Sequence, residues 1–307
     1  MPTPERTPQP ADAARARGAL LGLAAGDAVG TTVEFKHRGT FEPVTDMIGG
    51  GPFRLSPGQW TDDTSMALCL ATSLVECGGF DAGDQMRRYV RWRDHGYLSS
   101  NGRCFDIGST VAAALRRFEQ TGDAFAGSSH PQSAGNGSLM RLAPIALFYF
   151  RSLDETEHYA AESSRTTHAA AECLDACRLF ARILHRALHG LPKEDVLLAD
   201  GARFQGTRTI SAIAQGSYRN KSADEIRGSG YVVESLEAAL WSFDRTDSFE
   251  TAILTAANLG DDADTTAAVC GQLAGAFYGE SGIPQHWLAR LTMREEIAEL
   301  TSAVEIA

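Results

Sequence analysis

Two short acidic segments, about 200 residues apart, carry the residue types best suited to chemistry in this chain. The first is WTDDT (60–64) and the second is GDDADTT (260–266). Each stands directly ahead of an apolar helical pattern, where one or two side-chain oxygens are enough to cap the helix. Neighbouring carboxylates also repel one another, so capping alone leaves the surplus acidic side chains unexplained.

A bound divalent cation would remove this repulsion. The available ligands are all oxygens, which favours Mg²⁺ or Mn²⁺ over zinc or copper. The two segments together offer enough carboxylates for two ions about 3.5–4 Å apart. A single Ca²⁺ site is the main alternative among metals, although the ligand spacing of an EF-hand loop is absent. Simple helix capping is the alternative without a metal.

A third segment, SAGNGS (133–138), has the composition of an anion-binding loop. Its consecutive small residues expose backbone N–H groups, and a helical pattern follows it directly. Amide groups near a helix N-terminus suit a diphosphate. Ordinary turn chemistry is the alternative for such a glycine-rich stretch.

The elements that must position these segments are helices. Apolar periodicity predicts nine helical segments, and alternating strand-like stretches are scarce. The nine predicted segments are 17–30, 65–78, 81–96, 109–122, 139–150, 168–190, 232–243, 248–260 and 265–279. We therefore expect an all-α fold in one domain over residues 11–307, preceded by a disordered, proline-rich tail over residues 1–10.

The first predicted helix has glycines at four-residue intervals, at positions 18, 22, 26 and 30. Residues four apart share one face of a helix, so this face is bare backbone that another helix can approach closely. Each glycine costs roughly 1 kcal/mol relative to alanine in a helix. Four of them therefore indicate a requirement of packing or of ligand binding.

The overall composition limits the partners. The 307 residues carry a formal net charge of −11, which disfavours nucleic acid and anionic membranes as main partners. A small phosphate-bearing ligand remains compatible, because a bound cation reverses the sign locally. The six cysteines form no CxxC pair and are typical of a reducing compartment, so we expect a cytoplasmic protein. No apolar surface helix stands out, and a monomer is the expected state.

Six ordered motifs resemble those of the ADP-ribosylglycohydrolase family, which includes the dinitrogenase reductase-activating glycohydrolase and the ADP-ribosyl-arginine hydrolases. The resemblance covers nearly the whole chain and implies a compact all-α fold with two Mg²⁺ or Mn²⁺ ions at the centre of a cleft. The six motifs are residues 18–35, 60–68, 135–147, 167–181, 230–243 and 258–279.

The resemblance also implies the ligands of the metals, from the two acidic segments. Asp62 or Asp63 would act as the base, and Glu34 would hold a bridging or gating water. Asp261 occupies a position that is often glycine in the family and is left outside the ligand set. The implied metal ligands are Thr61, Asp62, Asp63, Asp262, Asp264 and Thr265.

The family's substrate contacts fall on three further places. The glycine-rich loop would contact the diphosphate and the adjacent ribose of ADP-ribose through Gly135, Asn136, Gly137 and Ser138. Asp106 would lie near the scissile ribose, or would cap the next helix. His168 would approach the ligand and the adenine would stack on Tyr231, unless both are ordinary core residues.

The implied activity is the metal-dependent hydrolysis of the N-glycosidic bond between ADP-ribose and a protein arginine, releasing ADP-ribose. Asp27 is expected to have a structural role, bonding the amides of a helix end. Three alternatives stay open from the sequence. The enzyme could cleave another linkage, such as serine or O-acetyl-ADP-ribose, or hydrolyse a phosphodiester to AMP. The chain could instead be a non-catalytic, immunity-type binder of ADP-ribose.

Overall fold

The computed structural model describes residues 12–198 and 201–306. The predicted disordered tail, residues 1–10, lies outside this part of the chain. The described residues form fourteen α-helices and six short 3₁₀ helices. Within them β-pairing is limited to four isolated bridges, and no strand forms. The prediction of an all-α fold is confirmed.

The helices follow one another through mostly short connections. The α-helices are α1 (Ala13–Gly30), α2 (Asp62–Cys77), α3 (Ala82–His95), α4 (Ser109–Thr121), α5 (Ala143–Phe148), α6 (Leu153–Arg165), α7 (Ala171–Leu188), α8 (Lys193–Leu198), α9 (Arg208–Ala214), α10 (Val232–Asp244), α11 (Phe249–Ala257), α12 (Ala263–Tyr278), α13 (Gln285–Arg290) and α14 (Arg294–Ile306). The 3₁₀ helices are Thr31–Val33, Pro131–Ser133, Gly201–Arg203, Ser217–Asn220, Ala223–Glu225 and Glu280–Gly282.

Helices α1 and α12 form the central pair of the fold. They run antiparallel, and their backbones touch along the glycine face of α1. A Cβ atom added to Gly26 would lie 2.1 Å from the carbonyl oxygen of Ala267. In the other direction, a Cβ atom on Gly275 would lie 1.9 Å from the carbonyl oxygen of Gly18. Only hydrogen fits at these positions, so the close approach predicted from the glycine spacing is confirmed.

This pairing fixes where the acidic segments meet. Because the helices are antiparallel, the C-terminal end of α1 lies beside the N-terminal end of α12. A Cβ atom on Gly30 would be 2.5 Å from the Cα atom of Asp264. The start of α2 lies against the same end of α1 through Asp27. Three helix ends therefore converge on one point.

The apolar side chains form two clusters around this arrangement. The larger cluster surrounds α1 and α12 and contains the buried rings of Trp60, Phe180 and Trp287. The smaller one lies between α2, α3 and α4 around Tyr89 and Trp92. Both clusters sit behind the converging helix ends and hold them in place. No helix in the described ranges has the length and apolarity needed to span a bilayer.

The observed helices differ from the predicted ones in two ways. Five helices were not predicted: α6, α8, α9, α13 and α14. Helix α6 is largely polar, and its start depends on Ser152, which accepts a hydrogen bond from the Glu155 amide at 3.2 Å. The predicted segment 139–150 is helical only from Ala143 to Phe148. Pro144 suits the first turn of a helix, and the residues before it form turns that shape the site.

A candidate carboxylate metal centre and its cleft

The first acidic segment forms the start of α2 but does not cap it. Thr61 is the N-cap residue, and its side chain makes no capping hydrogen bond to its own helix. The carboxylate of Asp27, in α1, caps α2 instead. One carboxylate oxygen accepts from the Thr61 amide at 2.9 Å, and the other accepts from the Thr64 amide at 3.1 Å. The carboxylates of Asp62 and Asp63 are therefore free for another use.

Both carboxylate oxygens of Asp27 are fully hydrogen-bonded. Besides the two amides, it accepts hydrogen bonds from the hydroxyls of Thr61 at 3.0 Å and of Thr64 at 2.6 Å. Burial raises its pKa to about 6 despite these four bonds. Its carboxylate lies close enough to Asp63 and Asp264 to share an ion with them. Because its lone pairs are occupied, we assign it to positioning the α2 start, as the sequence predicted.

The second acidic segment forms the start of α12 in the same manner. Asp262 is the N-cap residue, and its side chain makes no capping bond. Its carboxylate instead accepts a hydrogen bond from the side-chain amide of Asn136 at 2.6 Å. Neither acidic segment therefore caps its own helix through the N-cap side chain. Capping does not account for these carboxylates.

The two segments meet in a buried cluster of oxygens. The hydroxyl of Thr61 lies 3.2 Å from a carboxylate oxygen of Asp63 and 3.3 Å from one of Asp264. The Thr265 hydroxyl lies 3.4 Å from Asp63. The remaining oxygens, Oδ1 of Asp63 and Oδ1 of Asp264, are buried without a hydrogen-bond partner in the described residues. Such oxygens are rare and costly in proteins, and a cation would satisfy them.

Glu34 and Asp106 complete the cluster on the side of the solvent. One oxygen from each lies within 4.8 Å of an oxygen of Asp264 and of one another. Glu34 is only 3% exposed, so it is not a surface glutamate. Asp106 does not cap α4, whose N-cap residue is Gly108. Its backbone has φ near +61°, a strained value for a residue other than glycine, and strain of this kind gathers at functional sites.

The electrostatics of the cluster favour a bound positive charge. Burial, together with the charges of Asp106 and Asp262, raises the pKa of Glu34 to about 9. Burial also raises the pKa of Asp106 to about 7 and that of Asp63 well above its ordinary value. These carboxyl groups cannot all ionise together near neutral pH without a cation. The oxygen ligands and the unpartnered atoms fit one or two divalent ions.

A cleft of about 360 Å³ opens from this cluster. Nine of the residues proposed from the sequence lie in its wall: Glu34, Asp62, Asp106, Gly135, Asn136, Gly137, His168, Asp262 and Thr265. Three others, Thr61, Asp63 and Asp264, lie buried behind the wall. The cleft therefore has an acidic end and a glycine-rich end.

The glycine-rich end offers backbone donors. Within the described residues, the amides of Gly137 and Ser138 have no hydrogen-bond acceptor. A Cβ atom on Gly137 would lie 2.8 Å from the ring of His168. Glycine at this position lets the loop pack on the imidazole, which keeps the loop close to the cleft.

His168 is a neutral, oriented imidazole. Burial and the nearby Arg141 lower its pKa to about 3. Its Nδ1 atom lies 2.9 Å from the Thr167 hydroxyl, which accepts a hydrogen bond from Arg141 at 2.8 Å. We assign the hydroxyl hydrogen to Nδ1, because this nitrogen is the nearest acceptor and arginine only donates. The ring proton is then on Nε2, so this nitrogen is a donor.

Two predicted substrate contacts do not have their side chains in the cleft wall. The Ser138 hydroxyl is buried and accepts a hydrogen bond from Ser164 at 2.8 Å, so only its amide is a candidate contact. Tyr231 begins α10 and donates from its hydroxyl to Glu172 at 2.6 Å. The backbone of Tyr231 pairs with that of Gly135 in a β-bridge, and Tyr231 lines a neighbouring cavity of about 440 Å³.

Eight residues of the cleft wall were not among the site residues proposed from the sequence: Phe35, Ile107, Gly108, Ser109, Thr110, Val111, Met140 and Gly230. Gly108 is the N-cap residue of α4, a helix of 13 residues, and Ser109 and Thr110 are its first two residues. The signal was present, because no capping side chain precedes the helix at Gly108. Phe35 at the mouth was also missed, since an exposed phenylalanine after Glu34 has no pattern of its own.

Known proteins match this chain over most of its length. The model of the ADP-ribosylglycohydrolase family matches residues 8–307. The chain is 51% identical to the ADP-ribosylarginine hydrolase Tri1 of Pseudomonas putida (strain GB-1), over 93% of this chain and 76% of the relative. It is 35% identical to the ADP-ribosyl-(dinitrogen reductase) glycohydrolase of Rhodospirillum rubrum, over 92% of each chain.

A solved structure extends the likeness to the fold. The structure, titled an ADP-ribosylglycohydrolase-related protein complex, superposes with a TM-score of 0.86 at 44% identity. The match covers 96% of this chain and 98% of the other. The chain belongs to the ADP-ribosylglycohydrolase family, whose members hydrolyse the glycosidic linkages of ADP-ribose. The family membership expected from the six motifs is confirmed.

Proposed function

We propose that this protein hydrolyses the bond between ADP-ribose and an arginine side chain of a modified protein, with a divalent metal, and releases intact ADP-ribose. The observation that carries the proposal is the buried oxygen cluster at one end of a cleft whose other end offers free amides. This arrangement suits a ligand with ribose hydroxyls at one end and a diphosphate beside them. The arginine linkage is supported by the relative named an ADP-ribosylarginine hydrolase.

The metal ligands that we propose are the oxygens of the two acidic segments. They are Thr61, Asp62, Asp63, Asp262, Asp264 and Thr265, and the ions are two Mg²⁺ or Mn²⁺. The unpartnered oxygens of Asp63 and Asp264 support this assignment. When bound, such ions polarise oxygen atoms of the substrate and offset the charge of the carboxylates.

The diphosphate would lie against backbone amides from two directions. The amides of Gly137 and Ser138 come from the glycine-rich loop, and the first turn of α4 faces the same cleft. Amides at a helix N-terminus bind anions through hydrogen bonds and through the helix dipole. The neutral His168 adds a donor on Nε2. We propose that the adenine stacks on Tyr231 in the neighbouring cavity, as flat rings do.

The proton chemistry belongs to the carboxylates that reach the cleft. Asp62 lies in the cleft wall, whereas Asp63 is fully buried behind it. Of the two aspartates, we therefore propose Asp62 as the base that takes a proton from the attacking water. Glu34 and Asp106 flank the same point and would orient that water and the ribose. Attack of this water at the anomeric carbon breaks the bond to the arginine nitrogen. The cationic guanidinium leaves as the neutral guanidine and then takes up the proton that Asp62 removed from the water, so the products are ADP-ribose and the arginine cation.

We propose an ADP-ribosylated protein as the partner and the cytoplasm as the location. The six cysteines are all free, and four of them are buried. Such cysteines need no oxidising compartment. Nucleic acid is disfavoured as a main partner by the net charge, and a monomer stays the expected state.

The test is an assay on an arginine-ADP-ribosylated protein with Mg²⁺, with Mn²⁺ and with EDTA, read by mass spectrometry. We expect release of intact ADP-ribose with either metal and none with EDTA. AMP as the product would contradict the choice of bond. Absence of release together with calorimetric binding of ADP-ribose would indicate another linkage or a non-catalytic binder.

A further inference from the structure

Phe35 at the mouth of the cleft is the first of three aromatic side chains that form a row. The ring centroids of Phe35 and Phe53 are 6.4 Å apart, and those of Phe53 and Phe105 are 5.2 Å apart. Phe35 lines the cleft, yet it is 64% exposed. We call these three residues the aromatic rim. The contact of such an exposed ring with water is unfavourable, and a ligand that covers the ring removes this contact.

The backbone holds the rim in this exposed position. Phe35 has φ near +62°, in a region that bulky residues rarely adopt. Its amide donates to the carbonyl of Asp261 at 2.7 Å, which ties it to the second acidic segment. Phe53 lies in a turn closed by a β-bridge between Gly50 and Leu55. Main-chain hydrogen bonds thus hold the backbone at Phe35 and the turn that carries Phe53, and neither ring is buried in the core.

The faces of these rings are free of the protein's own cations. Elsewhere an arginine or lysine lies over an aromatic ring, as Arg165 does over Phe125 at 4.5 Å. In the described part of the chain no such contact involves a ring of the rim. The rim therefore remains available for a cation that comes from the substrate.

The chain also places a carboxylate beside the rim at two points. Glu34 precedes Phe35, and Asp106 follows Phe105, and both carboxylates belong to the cluster at the base of the cleft. A guanidinium is planar, stacks on aromatic rings through its face and bonds carboxylates through its edge. The exposed ring of Phe35, together with two carboxylates that line the same cleft, complements this one chemical group.

We propose that the aromatic rim binds the guanidinium of the modified arginine, with Phe35 as the main contact, and so selects an arginine linkage over neutral linkages. This inference rests on the proposed function and adds the residue that determines the linkage. A ring over the guanidinium holds the leaving group next to Asp106 and Glu34. A neutral serine linkage gains nothing from the same ring.

The experiment compares Phe35→Leu with the wild type on ADP-ribosyl-agmatine, which carries the guanidinium without a protein surface. Leucine keeps the apolar character and loses the aromatic face. We expect kcat/KM to fall about 5- to 30-fold, the range for a cation on an aromatic ring. The calorimetric affinity for free ADP-ribose should stay within about two-fold. Phe35→Trp should retain the activity, because it keeps the aromatic face.

Phe125→Leu is the matched control, since it removes a partly exposed ring that Arg165 already covers. It should leave both measurements unchanged. Unchanged kcat/KM in Phe35→Leu would overturn the inference, and so would an equal loss of affinity for free ADP-ribose. A loss seen only with a modified protein, and not with ADP-ribosyl-agmatine, would assign Phe35 to the protein surface and also overturn it.

The two proposals fail in different ways. A wild-type protein that does not hydrolyse ADP-ribosyl-agmatine contradicts the proposed function, and with it this inference. An active wild type with an unaffected Phe35→Leu variant contradicts the inference alone.

Discussion

The two ends of the central helix pair, α1 and α12, differ in nearly every physical respect. Along most of their length the helices touch through glycine, with a dry contact in which a Cβ atom on Gly22 would be 2.4 Å from the Gly271 carbonyl. At the end near Gly30 and Asp264 the same helices carry buried carboxylates. There, oxygens of Asp63 and Asp264 have no hydrogen-bond partner in the described residues.

This difference shows how the fold separates stability from function. The glycine contact is closely packed and leaves α12 little freedom to shift along α1. The acidic end stores repulsion that a flexible scaffold would relieve by moving apart. The packed region therefore holds the carboxylates at distances that suit an ion. Such a site is locally less stable without an ion, but its ligands are already in position to bind one.

The first prediction separates the two regions by removing one carboxylate. We expect Asp264→Asn to lower turnover of ADP-ribosyl-agmatine by more than about 100-fold, because Asp264 is a proposed ligand that lies close both to Asp63 and to the pair Glu34 and Asp106. The same variant should not lower the Tm of the metal-free protein, since it removes a buried repelling charge. Steady-state kinetics and thermal unfolding in EDTA check the two parts.

Asp261→Asn is the matched control for Asp264→Asn. Asp261 lies three residues before Asp264 in the same acidic segment. Its Oδ1 atom lies 2.7 Å from Nδ1 of His37, outside the cluster. We expect its kcat/KM to stay within about two-fold of the wild type, as for a surface ion pair of small energetic weight. Full activity in Asp264→Asn, or an equal loss in both variants, would refute the metal assignment.

The second prediction disturbs the packed region instead. Gly26→Ala would place a methyl group 2.1 Å from the carbonyl oxygen of Ala267, which is backbone and cannot turn aside. We expect the free energy of unfolding to fall by about 3 kcal/mol or more. Chemical denaturation in EDTA measures this change.

The control for this change is Gly83→Ala in α3. There the nearest atom is the guanidinium nitrogen of Arg87 at 3.1 Å, the end of a flexible side chain. We expect it to be neutral or to stabilise by up to about 1 kcal/mol through helix propensity. A Gly26→Ala variant as stable as the wild type would show that α1 and α12 can separate without cost.

The third prediction uses the pH to act on the acidic end alone. Burial and neighbouring charges raise the pKa of Glu34 from 4.5 to about 9, and burial raises the pKa of Asp106 from 3.8 to about 7. In this window the folded protein keeps protons that the unfolded chain releases. The stability of the metal-free protein should therefore decrease as the pH rises from about 5 to about 9.

Thermal unfolding in EDTA at several pH values checks this sign. Addition of Mg²⁺ or Mn²⁺ should flatten the decrease, because a bound cation favours the ionised carboxylates. Asp264→Asn should flatten it as well, through the loss of one repelling charge. A Tm that rises with pH in EDTA would contradict our description of the cluster.

Much of this molecule could be predicted from local patterns. The apolar periodicity placed nine helices, and the glycine spacing of α1 predicted a close helix contact. The two acidic segments could be singled out as candidate metal ligands, because their carboxylates exceed the number that capping needs. Short or polar helices such as α6 and α14 were not predicted, because their stability comes from tertiary contacts more than from their own apolar pattern.

Single side chains were harder to place than elements. Ser138 was predicted in the substrate site, yet its hydroxyl bonds Ser164 inside the protein. For Asp106 the sequence left the choice between a helix cap and a site residue open, and its positive φ directs it to the cluster. Phe35 gave no signal at all. In each case the direction of the side chain depends on a backbone angle or on a distant neighbour.

The sequence by itself determined the helical class, the chemistry of the acidic segments and the family, because these depend on residue types and on short-range spacing. The tertiary structure alone decided that α12 is the partner of α1 and that Asp27 caps α2 from another helix. It also decided that Arg141 and Thr167 orient His168 and that three distant phenylalanines form one rim. These contacts join residues far apart in the chain, and only the packing of the whole fold selects them.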